Sequence, residues 1–284
     1  MKKVGLNQTS FVWGQIAESW KTYFTSPSRP SAQEVKQYSR WLKEISKGKK
    51  ILKGLVLGAT PELRDTLYSS NFDVYSMDIN LEMILAMTQL LKNKNKDEIV
   101  IRSNWLGNPL KDKYFDVILG DAVIPNIPWD KRDEFYLEIK RLLKPSGYFI
   151  NRAFYVPEKK TFKNLEDLLR HFENKKSSYT TATELVFELL ILTYKSKDHL
   201  GSLEKVKQIL EPTRKMNIKN KKELKKTLDI IWEYWLNSVV GKVWLFPTQK
   251  EEEGEYEKYF KSFKKFEAKD HPYSQLTPMY ILKS

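Results

Sequence analysis

The sequence predicts an α/β protein with a doubly wound, mostly parallel sheet of seven strands. Over residues 51–154, short apolar segments alternate with segments in which apolar residues recur every three or four positions. This is the pattern of strands and helices in turn. A last segment, 263–284, alternates apolar and polar residues around a loop, which predicts an antiparallel strand pair. Helices are expected before residue 51, and a helical insertion before the last pair.

Residues 51–68 contain the first strand, a turn and the start of a helix. The apolar positions of the strand are Ile51, Leu52, Leu55, Val56 and Leu57. The chain then turns at Gly58 and Ala59, and Thr60 is expected to cap the helix. Pro61 suits the first helical position because it needs no N–H there. Free backbone N–H groups beside a glycine are typical of a site for the polar part of a nucleotide-like ligand.

A second strand, 72–78, ends in Asp78, twenty positions beyond Gly58. An acid at this place in a nucleotide-binding fold accepts hydrogen bonds from ribose hydroxyls. The alternative is that Asp78 only caps the helix that starts near Asn80. Strand patterns on both sides favour the first interpretation. The glycine turn and the acid therefore predict a cofactor that carries a nucleoside.

Five segments resemble, in order, the motifs of class I S-adenosylmethionine-dependent methyltransferases, a superfamily with a Rossmann-like fold. They are LVLGATPELR, VYSMDINLEMI, IRSNWLGNPL, FDVILGDAVIPNI and LLKPSGYFI, and they cover about 51–154. The resemblance implies S-adenosylmethionine as cofactor and transfer of its methyl group to an acceptor. The chain departs from the family in its loop, where Gly58 stands alone and the family often has two or three glycines. This departure also counts against a nicotinamide dehydrogenase, which needs G-x-G-x-x-G.

The resemblance also implies which residues bind the cofactor. The predicted contacts are Gly58, Ala59, Thr60, Asp78, Ile79, Asn104, Trp105, Asp121, Trp20 and Tyr23. Asn104 stands where the family usually has an aspartate, and its side-chain oxygen would meet the adenine amino group. Trp105 would flank the adenine ring, or alternatively fill the core. Trp20, Tyr23 and Arg29 lie in a segment that resembles the family's N-terminal cover, although the two aromatic rings could equally pack on the core.

Asp121 lies at the tip of the fourth strand, where the carboxyl ends of parallel strands border the ligand crevice. We expect it to meet the cofactor's ammonium group or a substrate proton, which makes it the first candidate for a catalytic base. Capping of a loop is the alternative. His271, in the loop of the last strand pair, is a second candidate, although a lone histidine beside a proline is more often a turn residue. Methyl transfer needs a base only where the acceptor must lose a proton.

Composition restricts the other functional classes. The 284 residues contain no cysteine, which excludes disulfides, thiolate metal sites and cysteine nucleophiles. Three scattered histidines predict no metal site. No signal peptide is evident, and the longest apolar run, 185–194, is too short to cross a bilayer and contains Glu188. We therefore expect a soluble, cytoplasmic protein without a membrane partner.

The formal net charge of +13 suggests a nucleic acid as a possible partner. The excess charge is spread along the chain, however, and most basic residues are lysines, whereas phosphate and base recognition favours arginine. A lysine-rich solvated surface explains the charge. A small-molecule acceptor is therefore favoured over RNA or DNA, and no oligomeric state is predicted.

The sequence divides into four predicted parts. These are an N-terminal helical cover over 1–50, a Rossmann-like core over 51–157, a helical insertion or lid over 158–262, and a C-terminal hairpin over 263–284. In the cover, Ser31 and Glu34 predict a capping box for a helix over 32–46. In the insertion, four aromatic residues would form the wall of an apolar acceptor pocket, or else plain helix–helix core: Trp232, Trp235, Trp244 and Phe246.

Three functional hypotheses remain at this point. The leading one is a methyltransferase whose acceptor is a small molecule or a protein side chain, with the small molecule favoured. The second is a non-catalytic module that binds S-adenosylmethionine or a nucleotide, and the third is an RNA methyltransferase. No motif in the insertion identifies the acceptor.

Overall fold

A computed structural model describes residues 17, 20, 22–50, 52–93, 97–215, 221–237 and 243–284. The strands are β1 (Leu52–Leu57), β2 (Phe72–Asp78), β3 (Ile99–Arg102), β4 (Phe115–Asp121), β5 (Leu143–Arg152), β6 (Leu200–Ser202), β7 (Val243–Leu245), β8 (Ser262–Phe266) and β9 (Met279–Lys283). Of the predicted N-terminal cover, residues 1–16, 18, 19 and 21 lie outside the described part.

The main sheet has seven strands in the order β3-β2-β1-β4-β5-β9-β8. Strands β1 to β5 are parallel, whereas β9 pairs antiparallel with both β5 and β8. The predicted doubly wound, mostly parallel sheet with an antiparallel C-terminal pair is confirmed. Strands β6 and β7 form a separate antiparallel pair that the sequence did not predict.

The helices are α1 (Ala32–Ser46), α2 (Pro61–Tyr68), α3 (Leu81–Thr88), α4 (Arg132–Leu142), α5 (Leu165–Phe172), α6 (Tyr179–Thr193), α7 (Leu203–Leu210), α8 (Lys222–Ile230) and α9 (Gln249–Tyr259). A π-helical turn, Ile231–Leu236, continues α8. The predicted capping box of α1 is confirmed: the Glu34 N–H donates to the Ser31 hydroxyl, and the Glu34 carboxylate accepts from the Ser31 N–H.

Different helices cover the two faces of the main sheet. Because successive strand residues point to opposite faces, Leu119 of β4 packs in the core formed with α1 and α2, whereas its neighbour Ile118 packs in the core formed with α4 and α9. Burial on both faces explains why the central strands are almost continuously apolar.

The predicted helical insertion consists of two parts, and each part packs on a different partner. Helices α5 to α8 form an apolar core of their own, which includes Trp232 and Trp235. Helix α9, in contrast, places Tyr256 and Tyr259 in the core of the main sheet. It begins with a capping box of Thr248 and Glu251, a signal that was visible in the sequence. Helix α9 thus belongs with the main sheet, and the other predicted boundaries stay predictions.

A buried acid lies at the contact of α9 with α4. Glu252 is fully buried, and its Oε1 accepts a hydrogen bond from the Tyr256 hydroxyl. Burial raises the pKa of Glu252 to about 7, although Tyr256 and the nearby Arg132 favour the ionised form. The folded protein therefore holds a proton at a pH where an exposed glutamate has lost it.

This proton predicts a pH-dependent stability. Because the pKa of Glu252 rises from 4.5 to about 7 on folding, the free energy of unfolding should fall as the pH rises through this range. A Glu252→Gln variant keeps the shape without the charge. At pH 8 it should be more stable than the natural protein by up to about 3 kcal/mol, and the two should be similar at pH 4.5.

Urea unfolding at several pH values measures this effect. Glu257→Gln, on the exposed face of the same helix, is the matched control and should follow the natural protein at each pH. A Glu252→Gln variant with an unchanged pH dependence would contradict the assignment.

Candidate functional site

Gly58 follows β1 and turns the chain towards α2. Its φ of +92° lies in the left-handed region, which favours glycine. Its N–H donates to the Met77 carbonyl of β2 over 2.9 Å. A Cβ added at Gly58 would lie 3.8 Å from Trp105 Cζ2 and 4.0 Å from Asp78 Oδ2. An indole and a carboxylate therefore border the space beside this glycine.

The residues after Gly58 differ in part from the prediction. Pro61 occupies the first turn of α2, as expected, but the Thr60 side chain makes no capping hydrogen bond. Its hydroxyl instead donates to Asp121 Oδ2 over 3.4 Å. Thr60 is thus the N-cap residue of α2, as predicted, but its side chain does not cap the helix because its hydroxyl is directed to the tip of β4. Ala59 is buried and packs in one apolar cluster with Trp20.

Asp78 ends β2 with its side chain largely buried. Its Oδ1 accepts from the Asn80 N–H over 2.8 Å. The cap of α3 is Asn80, whose own Oδ1 accepts from the Met83 N–H over 3.1 Å. Asp78 is therefore not the N-cap of α3, although it binds the backbone N–H of the residue that is. Ile79 is 64% exposed beside it, so this apolar side chain is available for contact with a ligand.

Trp105 is held across the end of β2. Its Nε1 donates over 2.8 Å to the Met77 carbonyl, the same group that accepts from Gly58. One carbonyl thus fixes both the glycine turn and the indole. The neighbouring Asn104 is exposed, and its Oδ1 accepts from the Leu106 N–H over 3.1 Å. The atom predicted to meet adenine closes a local turn in this structure.

Asp121, at the tip of β4, forms a buried ion pair with Arg152, the last residue of β5. The Arg152 Nε donates to Asp121 Oδ1 over 2.7 Å, and both side chains are almost fully buried. Burial raises the pKa of Asp121, and the Arg152 charge opposes this rise. Because Arg152 contacts Oδ1 and Thr60 contacts Oδ2, the geometry favours a structural role for Asp121 over proton removal.

Arg152 also connects the N-terminal segment with the C-terminal loop. Its Nη1 donates to the Pro27 carbonyl over 2.8 Å and lies 3.7 Å from Glu34 Oε2. Glu34 Oε1 is 3.2 Å from His271 Nε2. Burial alone would raise the pKa of Glu34, but Arg152 and hydrogen bonds from His271 and Ser31 hold it below its usual value. His271 is thus a buried partner of Glu34.

No motif in the sequence pointed to Arg152. The available signal was a charged residue close after the apolar residues 148–150 of a buried strand, since arginine is almost never fully buried without a partner. Nothing in the sequence indicated which acids would pair with it.

The two aromatic residues of the predicted cover have different surroundings. The Trp20 indole donates to Glu62 Oε1 of α2 over 3.2 Å, so it lies beside the loop. The Tyr23 ring instead stacks on Tyr234, with ring centroids 3.7 Å apart. Trp20 therefore fits the predicted contact better than Tyr23, which contacts the insertion.

The four aromatic residues of the predicted acceptor wall lie near one another, but in packed surroundings. Trp232 and Trp235 are buried in the core of the insertion and Trp244 packs against that core, which agrees with the alternative of plain helix packing. Phe246 stacks on Trp244 and on Phe154, which follows β5.

Two further properties concern only the described residues. Among them, no three histidine, aspartate or glutamate side chains are grouped so that they could hold a metal ion. No helix in this part of the chain is long and apolar enough to cross a membrane.

The ion pair generates a prediction about stability. Asp121→Asn leaves the buried charge of Arg152 with Glu34 alone, and loss of one partner of a buried pair costs several kcal/mol. We expect the free energy of unfolding in urea to fall by about 3 kcal/mol. Asp133→Asn, which breaks an exposed pair with Lys258, is the control and should cost less than about 1 kcal/mol. Equal effects of the two substitutions would contradict a structural role for Asp121.

Comparison with known families gives one match. Residues 58–151 match the methyltransferase domain family. The matched stretch is about a third of the chain and contains Gly58, Asp78, Trp105 and Asp121. A search of curated proteins found no match to the chain.

Solved structures show the same fold at low identity. A protein from Rhodobacter sphaeroides described as a zinc-dependent alcohol dehydrogenase has a TM-score of 0.58 at 14% identity, with 97% of each chain covered. The PH0226 protein from Pyrococcus horikoshii OT3 has a TM-score of 0.51 at 14% identity, with 94% of this chain and 96% of its own covered. These similarities concern the fold alone. The seven-stranded sheet has the Rossmann-like methyltransferase fold, and residues 58–151 within it match the methyltransferase domain family.

Proposed function

We propose that this protein is an S-adenosylmethionine-dependent methyltransferase that acts on a small molecule. The observation that carries the proposal is that Trp105 Cζ2 and Asp78 Oδ2 lie 3.8 and 4.0 Å from where a Cβ at Gly58 would be, within the matched methyltransferase domain. A glycine turn lets a ligand approach the backbone, and an acid at the end of the next strand can bind a ribose. The flat indole is suited to flank an adenine ring.

The residues present fit this cofactor. The Asp78 carboxylate would accept hydrogen bonds from the ribose hydroxyls, and the Trp105 indole would flank the adenine. Gly58, Ala59 and Thr60 would line the polar end. We keep the other predicted contacts as part of the proposal: Ile79, Asn104, Asp121, Trp20 and Tyr23. When bound, S-adenosylmethionine supplies a methyl group on a sulfonium, which is already activated for displacement.

The protein's contribution to such a transfer is alignment and exclusion of water. A general base is required only for an acceptor that loses a proton. The sequence predicts Asp121 as the base for such an acceptor, but its contacts with Arg152 and Thr60 favour a different proposal. In that proposal, Asp121 holds the Thr60 hydroxyl and thereby shapes the loop.

Calorimetric titration with S-adenosylmethionine and S-adenosylhomocysteine tests the cofactor. We expect the natural protein to bind both with micromolar affinity. Asp78→Ala should weaken binding by about 30-fold or more, because hydrogen bonds to a charged group contribute about 1.5–3 kcal/mol each. Asp73→Ala, in the same strand, removes only an exposed pair with Lys53 and should bind normally. Absence of binding by the natural protein, or equal losses in both variants, would contradict the proposal.

Turnover separates an enzyme from a binding module. Protein loaded with methyl-labelled cofactor would be incubated with cell extract divided into small-molecule, RNA and protein fractions. A labelled small molecule that separates chromatographically from the cofactor, and that is absent with Asp78→Ala, supports the proposal. Label in RNA would contradict a small-molecule acceptor and indicate an RNA methyltransferase. Cofactor binding without transfer to any fraction would indicate a non-catalytic module.

A further inference from the structure

We propose that Glu62 and Arg29 together recognise the charged amino acid end of the cofactor, with Glu62 binding its ammonium group and Arg29 its carboxylate. The inference rests on the proposed function and replaces Asp121 as the partner of the ammonium group.

Glu62 has one satisfied and one unsatisfied carboxylate oxygen. It lies in the first turn of α2, two residues after Thr60. Its Oε1 accepts from the Trp20 indole over 3.2 Å and lies 3.1 Å from Arg29 Nη2. Its Oε2 is buried and has no hydrogen-bond partner among the described residues. A buried acceptor left unpaired costs free energy, so a ligand that donates a hydrogen bond to this oxygen would be stabilised.

The surrounding charges favour a cationic group at this oxygen. Burial raises the pKa of Glu62, Arg29 opposes the rise, and the nearby Asp121 adds to it. Asp121 already has the fully buried Arg152 as its partner. Glu62 has only Arg29, whose side chain is 26% exposed. A ligand ammonium beside Glu62 would thus compensate a carboxylate that the protein compensates only in part.

Arg29 supplies the complementary charge. Its Nη1 donates to the Trp20 carbonyl over 3.0 Å, and its Nη2 contacts Glu62. A guanidinium has five N–H donors, so Arg29 can keep these contacts and still bind a carboxylate. The largely buried pair thus presents opposite charges side by side, which matches the two charged groups of an α-amino acid.

Three probes separate the two charges, and S-adenosylhomocysteine, which has both groups but a neutral sulfur, separates them from the sulfonium. S-adenosylmethionine carries both groups and the sulfonium, decarboxylated S-adenosylmethionine carries the ammonium group and the sulfonium, and 5′-methylthioadenosine carries none of them. Titration calorimetry of the full chain with each probe measures the contributions. Glu62→Gln keeps the side-chain shape and the acceptor for Trp20. It should lower the affinity for S-adenosylmethionine and for decarboxylated S-adenosylmethionine by about 10-fold or more, without changing the affinity for 5′-methylthioadenosine. Arg29→Met should weaken S-adenosylmethionine by a similar factor and leave the other two within about twofold. Glu62→Gln should weaken binding of S-adenosylhomocysteine as much as that of S-adenosylmethionine.

Glu82→Gln is the control variant, because it removes an exposed carboxylate from the first turn of α3 after the neighbouring strand β2. It should bind all three probes normally.

An equal loss of affinity for all three probes in Glu62→Gln would overturn the inference, because it would indicate a damaged loop. An unchanged affinity of this variant for S-adenosylmethionine would overturn it too. If the natural protein binds 5′-methylthioadenosine but Glu62→Gln has no selective effect, only this inference fails. If the natural protein binds none of the probes, the proposed function fails with it.

Discussion

The buried guanidinium of Arg152 lies where three distant parts of the chain meet. It contacts Asp121 of β4 and the Pro27 carbonyl, and it lies 3.7 Å from Glu34, which in turn contacts His271 of the C-terminal loop. A charge in this position is tolerated only with its partners in place. The N-terminal segment, the tip of β4 and the last loop are therefore fixed relative to one another.

The proposed cofactor site depends on this arrangement. Asp121, positioned by Arg152, accepts the Thr60 hydroxyl and so connects the ion pair with the loop after β1. On the other side of that loop, the Met77 carbonyl accepts from both Gly58 and Trp105. The loop is thus held from two directions. A rigid loop of this kind is a suitable frame for a ligand that contacts backbone as well as side chains.

The parts that the sequence predicted well are those with local signals. The strand, glycine turn and proline-initiated helix around Gly58 follow from neighbouring residues, and so does the capping box of α1. The contacts that were missed join residues far apart in the chain. Threonine is a residue type that often caps a helix with its side chain. The Thr60 hydroxyl, however, forms a hydrogen bond with Asp121, 61 positions away. The partners of Arg152 and the packing of α9 on the main sheet depend likewise on the tertiary structure, which periodicity does not encode.

A crystal structure of the protein with S-adenosylhomocysteine tests the proposed site most directly. We expect the ribose beside Asp78, the adenine beside Trp105 and the amino acid end beside the loop that starts at Gly58. We also expect the pair between Asp121 and Arg152 to remain intact. A ligand bound elsewhere on the chain, or one whose ribose does not contact Asp78, would contradict the assignment of this edge of the sheet as the cofactor site.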